Sequence, residues 1–208
     1  MMDKKVWMVL GTVALVFMGL SSAQAEEPGL SFGDTWPMGE VALKDVSGKM
    51  VKVDDVAGEK GTLVIFTCNH CPYVKAWDDR ITALGNAYVE KGIGVVSINS
   101  NDPGVKGEDS FEEMVKRSKA LGLNFPYVVD EGSKLALAFG AKKTPEIYLF
   151  DAERRLVYTG AVDDNSQDAS KVTKTHLRDA LEAVLAGKQP DPRATKALGC
   201  TIKFYKKK

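Results

Sequence analysis

The chain has no excess of charge of either sign, with 28 lysines and arginines against 28 aspartates and glutamates over 208 residues. A nucleic-acid partner, whose phosphates require a basic face, has no footing in that balance. Nor does any apolar run reach the ~20 residues of a typical membrane-spanning helix. The longest is Val6 to Leu20, between Lys4-Lys5 and Ser21-Ser22-Ala23-Gln24-Ala25. A basic start, a short apolar stretch and a small-x-small end describe a secretory leader, residues 1–25, cleaved after Ala25. The expected location is periplasmic or otherwise exported, with a membrane reached only through an uncleaved leader. No cysteine follows that stretch closely, which excludes a lipoprotein anchor. Cysteine is scarce, at three residues, and histidine scarcer, at two. Residues 26–208 are enough to bury a core without disulfides. In an oxidising compartment, however, three thiols matter, and an odd number leaves one without a fixed partner.

No internal repeat and no second domain are present. The expected organisation is one domain over residues 26–188 and an irregular C-terminal arm over 189–208 that carries Cys200. Val41-Ala42-Leu43 and Met50 to Val53, around a turn containing Gly48, read as a hairpin. Thr62 to Thr67 is apolar almost without alternation, as a strand covered on both faces should be. From Pro72 the residues Val74, Trp77, Ile81, Leu84 and Tyr88 recur at helical spacing, which makes Trp77 and Tyr88 packing residues. Ile93 to Asn99 is the next buried strand. Ser110 to Leu121 is a helix, with Ser110 and Glu113 as a capping box. A short strand over 125–129, a helix near 133–139, a hairpin of 146–150 with 156–161, and a last helix over Val172 to Ala186 complete the pattern. Strands alternating with helices, and a hairpin late in the chain, make an α/β fold with a mixed central sheet.

The central strand stops at Cys68-Asn69-His70-Cys71-Pro72. Two thiols separated by two residues make a redox-active pair the leading reading, against a soft-metal site or an inert buried pair. Proline favours the first helical position, which puts Cys71 at the N-cap. There, unpaired N–H groups and the helix dipole stabilise a thiolate, so Cys71 is the preferred nucleophile. His70 beside it would, as a cation, lower the thiol pKa further, and loss of His70 is expected to raise it.

The segment Phe139-Gly140-Ala141-Lys142-Lys143-Thr144-Pro145-Glu146-Ile147, far downstream and leading into a strand and hairpin, resembles the proline segment of the thioredoxin superfamily. Together with Cys68 to Pro72, Asn99-Ser100-Asn101-Asp102, Val162-Asp163-Asp164-Asn165 and Gly199-Cys200-Thr201, the chain is similar to the redoxin (AhpC/TSA-type) branch and its peroxiredoxin-like members. The resemblance implies a thioredoxin-like fold, its sheet flanked by helices and extended by an N-terminal hairpin. It also implies a cis Thr144–Pro145 bond facing Cys71, and thiol-disulfide oxidoreductase activity on protein thiols and disulfides, with an unidentified redox partner and no organic cofactor. In that scheme Cys71 attacks a partner disulfide docked along Thr144–Pro145, and Cys68 or Cys200 resolves the mixed disulfide.

Two other activities compete with this one. The peroxiredoxin pattern Pro-x-x-x-Thr/Ser-x-x-Cys is absent. Counting back from Cys71 meets Cys68 and Val64, and from Cys68 meets Ile65 and Gly61, so only a weak thiol peroxidase stays open. A copper-binding chaperone would use Cys68, His70, Cys71 and Cys200, with His176 as the only distant histidine. Asp163-Asp164-Asn165 lacks the spaced oxygen ligands of a calcium loop and reads as a turn.

Overall fold

The computed structural model describes residues 29–206. The leader and its cleavage point lie outside the described residues.

The chain opens with the hairpin β1 (Leu43–Asp45) and β2 (Met50–Val51), then β3 (Gly61–Thr67), α1 (Pro72–Val89) and β4 (Ile93–Asn99). There follow α2 (Phe111–Leu121), β5 (Tyr127–Val129), α3 (Lys134–Phe139), β6 (Lys143–Thr144), β7 (Glu146–Asp151), β8 (Leu156–Gly160), α4 (His176–Leu185) and β9 (Cys200–Thr201). Seven strands make one sheet in the order β2-β1-β5-β4-β3-β7-β8, and β6 pairs with β9 beside it. The β3–β4 and β4–β5 pairs are parallel and the others antiparallel.

Side chains alternate across a strand, so β3 feeds both layers of the core. Leu63 and Ile65 pack with Trp77, Ile81 and Tyr88 of α1 and Leu177 and Leu181 of α4. Val64 and Phe66 pack with Leu135 and Phe139 of α3 and with Trp36. This double covering is why β3 reads as a continuous apolar run. Trp77 and Tyr88 are buried as expected, and each also spends its polar atom: Trp77 Nε1 donates to Asp163 at 2.8 Å, and the Tyr88 hydroxyl donates to Glu182 at 2.5 Å. The Asp163 carboxylate also takes Arg80 Nη1.

Register places the site. Thr67 lies opposite Asn99 in the parallel β3–β4 pair, and Phe66 lies opposite Glu146 in the antiparallel β3–β7 pair. The segments after β3, after β4 and before β7 therefore meet at one edge of the sheet, where an open α/β sheet places its chemistry.

Several elements differ from the sequence expectation. Met50–Val51 ends its strand early, because Val53 leads into a 3-10 turn at Asp54–Val56. The capping box of α2 is half formed: Ser110 Oγ accepts from Glu113 N, but the Glu113 carboxylate pairs with Lys116 instead of reaching back. Gly122 closes α2 in the left-handed conformation that favours glycine. The last helix starts at His176, not Val172. Asp164 holds Thr173 through its backbone N–H and hydroxyl, and its own N–H bonds the Lys174 carbonyl, which keeps that stretch extended. The arm is not irregular throughout. Thr195 N donates to the Thr159 carbonyl and Thr159 N to the Arg193 carbonyl, Ile202 is buried in the core, and Cys200–Thr201 pair with β6.

Candidate active site

Cys71 stands at the N-cap of α1 in extended conformation, with Pro72 at the first helical position. Cys68 and Cys71 are both 0% exposed and pack with Val74, with Cys200 against them. The Thr144–Pro145 peptide is cis, and Thr144 holds both thiols of the pair. Its hydroxyl lies 3.3 Å from Cys68 Sγ, and its carbonyl oxygen 3.1 Å from Cys71 Sγ. Pro145 enters the site through that carbonyl, to which its own nitrogen is bonded.

The arm brings in the third thiol. In the β6–β9 pair Thr144 lies opposite Cys200, and Cys200 Sγ sits 2.8 Å from Cys71 Sγ. Cys200 therefore has no distance to travel, contrary to a thiol carried on a loose arm. Gly199 permits this closeness, since a Cβ there would lie 2.2 Å from the Thr144 carbonyl oxygen. Gly199→Ala should push β9 off β6 and slow formation of a Cys71–Cys200 disulfide by about tenfold or more, a loss of positioning worth upward of ~1.4 kcal/mol. Thiol counting after timed oxidation measures it, and an unchanged rate would show that the close approach is dispensable.

The three thiols do not share their protons evenly. The Cys71 thiol is brought down to about 4, first by the hydrogen bond from the Cys68 thiol, against the cost of burial, and then by the Cys200 thiol, with smaller help from the Val74 and Cys200 backbone N–H groups. Cys68 is pushed up, first by that bond to Cys71 and then by burial. Cys200 is pushed up to about 11 by burial and by its bond to Cys71, with Lys203 and Lys143 acting the other way. The arrangement is one anion flanked by two proton-bearing neighbours. The helix terminus contributes, but the neighbouring thiol contributes most.

His70 has a different neighbour from the one expected. Its Nδ1 lies 2.6 Å from Asp109 Oδ2, so the ring is directed to a carboxylate, and the leading influences on Cys71 are thiols and backbone. Asp109 is 3% exposed and escaped the sequence reading. It sits in a 3-10 turn just before α2. Its Oδ1 accepts the backbone N–H groups of Asn69 at 2.6 Å and His70 at 3.3 Å, and its Oδ2 accepts Asn101 Nδ2 at 2.8 Å. Asn69 in turn donates to the Glu108 carbonyl and accepts from the buried Tyr127 hydroxyl. The only trace in the sequence is the polar run Asn99-Ser100-Asn101 directly after a buried strand.

Among the described residues, the one group of metal-capable side chains with donor atoms all close together is Cys68, His70 and Asp109. The expected set of Cys68, His70, Cys71 and Cys200 thus gains a carboxylate, while Cys71 and Cys200 pair beside it. That carboxylate already takes four N–H or ring-nitrogen contacts, and His176 opens α4 outside the group.

Comparison with known proteins follows this geometry. The Redoxin family model matches residues 32–176. The thiol-disulfide oxidoreductase ResA of Halalkalibacterium halodurans is 25% identical over 175 residues, spanning 77% of this chain and 90% of that protein. An uncharacterized conserved protein from Geobacillus kaustophilus superposes with a TM-score of 0.80 at 37% identity, over 86% of this chain and 94% of its own. A thioredoxin-like protein solved in its oxidised form shares the fold at a TM-score of 0.59 and 21% identity, over 76% of this chain and 97% of its own. A family model covering most of the sheet, with the thiols and the cis-proline at one sheet edge, settles the membership: the chain belongs to the redoxin family and has its thioredoxin-like fold.

Proposed function

We propose that this protein is a thiol-disulfide oxidoreductase that exchanges disulfides with partner proteins, through Cys71 as the reactive thiolate and Cys68 and Cys200 as its exchange partners. The observation that carries the reading is a depressed, helix-capping thiol in contact with two others, beside a cis-proline segment. Thiol-disulfide exchange needs this set: a thiolate at neutral pH, and a second sulfur within bonding reach. The ResA relatives are named for the same chemistry.

The acting form is residues 26–208, one redoxin domain over 26–188 and an arm over 189–208 that completes its site, exported by the leader. Among the described residues no helix is long and apolar enough to cross a membrane. Electrons come and go as thiols, so the reaction calls for no organic cofactor. The oxidised protein holds a disulfide from Cys71 to one neighbour. Reduction returns Cys71 as a thiolate and the neighbour as a thiol, and oxidises a partner dithiol by two electrons.

Redox titration of residues 26–208 and the three single Cys→Ser variants tests this, with metal analysis on the same samples. Cys71→Ser should lose exchange with a model disulfide by at least ~100-fold, as expected when the nucleophile itself is removed. Full exchange in Cys71→Ser would sink the assignment, and stoichiometric metal with no titratable disulfide would favour metal binding.

A further inference from the structure

We propose that Cys200, rather than Cys71, is the sulfur that partner proteins meet first, so that electrons pass between a partner and Cys71 by way of the arm. The inference rests on the exchange reading above and specifies where the partner enters.

Access is the first ground. Cys68 and Cys71 are both 0% exposed, whereas Cys200 is partly exposed. The edge of β6 at Thr144, along which a partner segment would lie to reach Cys71, is already paired with β9. That strand is held on both sides. Downstream, Ile202 N donates to the Lys142 carbonyl and Lys203 N to Asn101 Oδ1, while Asp102 N donates to the Lys203 carbonyl. Upstream, Thr195 Oγ1 accepts from Ala161 N and bonds the Tyr158 hydroxyl. A partner protein thus faces an arm fastened over the thiolate, in which Cys200 is the one partly exposed cysteine.

Direction is the second ground. A thiolate attacks a disulfide sulfur from the side opposite the bond that breaks. In a Cys71–Cys200 disulfide, attack on Cys200 comes from the outer side, away from buried Cys71. Attack on Cys71 would have to reach a sulfur of a fully buried residue packed with Cys68 and Val74. The leaving group agrees, since the thiol of lower pKa leaves faster, and Cys71 is brought down to about 4 while Cys200 is pushed up to about 11. Lys143 and Lys203 lie close enough to Cys200 to act on its charge, and the same two cations favour an approaching partner thiolate.

The step balances. A partner thiolate, its proton released to water, bonds Cys200 Sγ. The Cys71–Cys200 bond breaks and its electron pair leaves on Cys71 as a thiolate. The partner's second thiol then attacks the partner's own sulfur, and Cys200 departs with that thiol's proton. The partner dithiol has become a disulfide, and the Cys71–Cys200 pair has been reduced by two electrons. Read backwards, the same path reduces a partner disulfide.

The test uses the full chain carrying Cys68→Ser, so that Cys71 and Cys200 are the only thiols left. Oxidation with diamide, which takes up the two electrons and two protons, forms their disulfide. Brief exposure to reduced glutathione, alkylation of free thiols and peptide mapping by mass spectrometry then locate the adduct. Glutathione should sit on Cys200, with Cys71 alkylated, by about tenfold or more over the reverse, because access favours it and the helix N-cap position of Cys71 still favours it as leaving group once the Cys68 thiol is gone. The rate should fall as salt screens the two lysines. Cys68→Ala provides the same readout should Ser disturb the buried pocket. Adducts mainly on Cys71 would overturn the inference, because the arm must then lift, yet would leave the exchange reading intact. Failure to form any Cys71–Cys200 disulfide would also overturn it, while the wild-type Cys68–Cys71 pair would still report on exchange. Only a protein inert to glutathione in every form would bring down the exchange reading itself.

Discussion

Replacing Cys68 with Ala should raise the titration midpoint of Cys71 in the reduced protein from about 4 by roughly 2 units or more. The Cys68 thiol is the largest influence holding Cys71 down, ahead of the Cys200 thiol and the backbone N–H groups, while burial works against all of them. Removing it leaves burial less opposed. The ultraviolet absorbance of the thiolate, followed against pH with Cys200 changed to Ser in both proteins, isolates the effect, and a midpoint that stays put would refute it. Stability carries the same signature. An unfolded thiol keeps its proton up to about 8.5, whereas folded Cys71 loses it near 4. Ionisation therefore stabilises the reduced fold progressively as pH rises between those values, fully above the upper one, and this contribution vanishes as pH falls through the lower. In Cys68→Ala the pH window narrows from below. His70→Ala should move Cys71 less than Cys68→Ala does, since the His70 ring is engaged by Asp109.

Asp109→Ala should cost about 3–5 kcal/mol of folding stability, because it strands several donors in a buried place. The carboxylate takes Asn69 N, His70 N, the His70 ring nitrogen and Asn101 Nδ2. Each buried donor left without a partner costs about 1–3 kcal/mol, and relaxation of the loop recovers only part. With a urea slope near ~2 kcal/mol/M for a domain of this size, the unfolding midpoint should drop by about 2 M. Asp109→Asn, which keeps one carbonyl oxygen but turns an amide group toward other donors, should fall between. A loss under ~1 kcal/mol for the alanine variant would mean that water replaces the carboxylate, and the residue would lose its place as the anchor of the cysteine loop.

Much of the fold was legible because its signals are local. The apolar run of β3, the helical spacing of Val74 to Tyr88 and the proline after Cys71 each act within a turn or a strand, and each lies where its pattern implies. The cis Thr144–Pro145 bond was legible only through resemblance, since nothing in its neighbours' chemistry requires it. What stayed hidden depends on contacts between distant segments. Asp109 reaches the Cys68–Cys71 loop from the segment between β4 and α2, 40 residues beyond Asn69, and no spacing rule joins them. The start of α4 was misjudged because Asp164 ties down Thr173 and Lys174, which their own sequence does not announce. The arm looked irregular for the same reason. Its order comes from Gly199 fitting against Thr144 and from Ile202 finding the core, both effects of tertiary packing.

The Cys71–Cys200 contact joins positions 129 apart in sequence. A disulfide between them would tie together most of the described chain, and in the loop-entropy picture such a closure restricts the unfolded ensemble by ~5 kcal/mol, against ~2 kcal/mol for the four-residue loop of Cys68–Cys71. The two possible disulfides are therefore unequal in what they do to the folded molecule. One is a local ornament; the other makes the native topology harder to leave. Because that coupling is reciprocal, folding promotes the long-range bond more than it promotes the short one, each measured against the unfolded chain, and the oxidation state of that pair is recorded in the endurance of the whole domain.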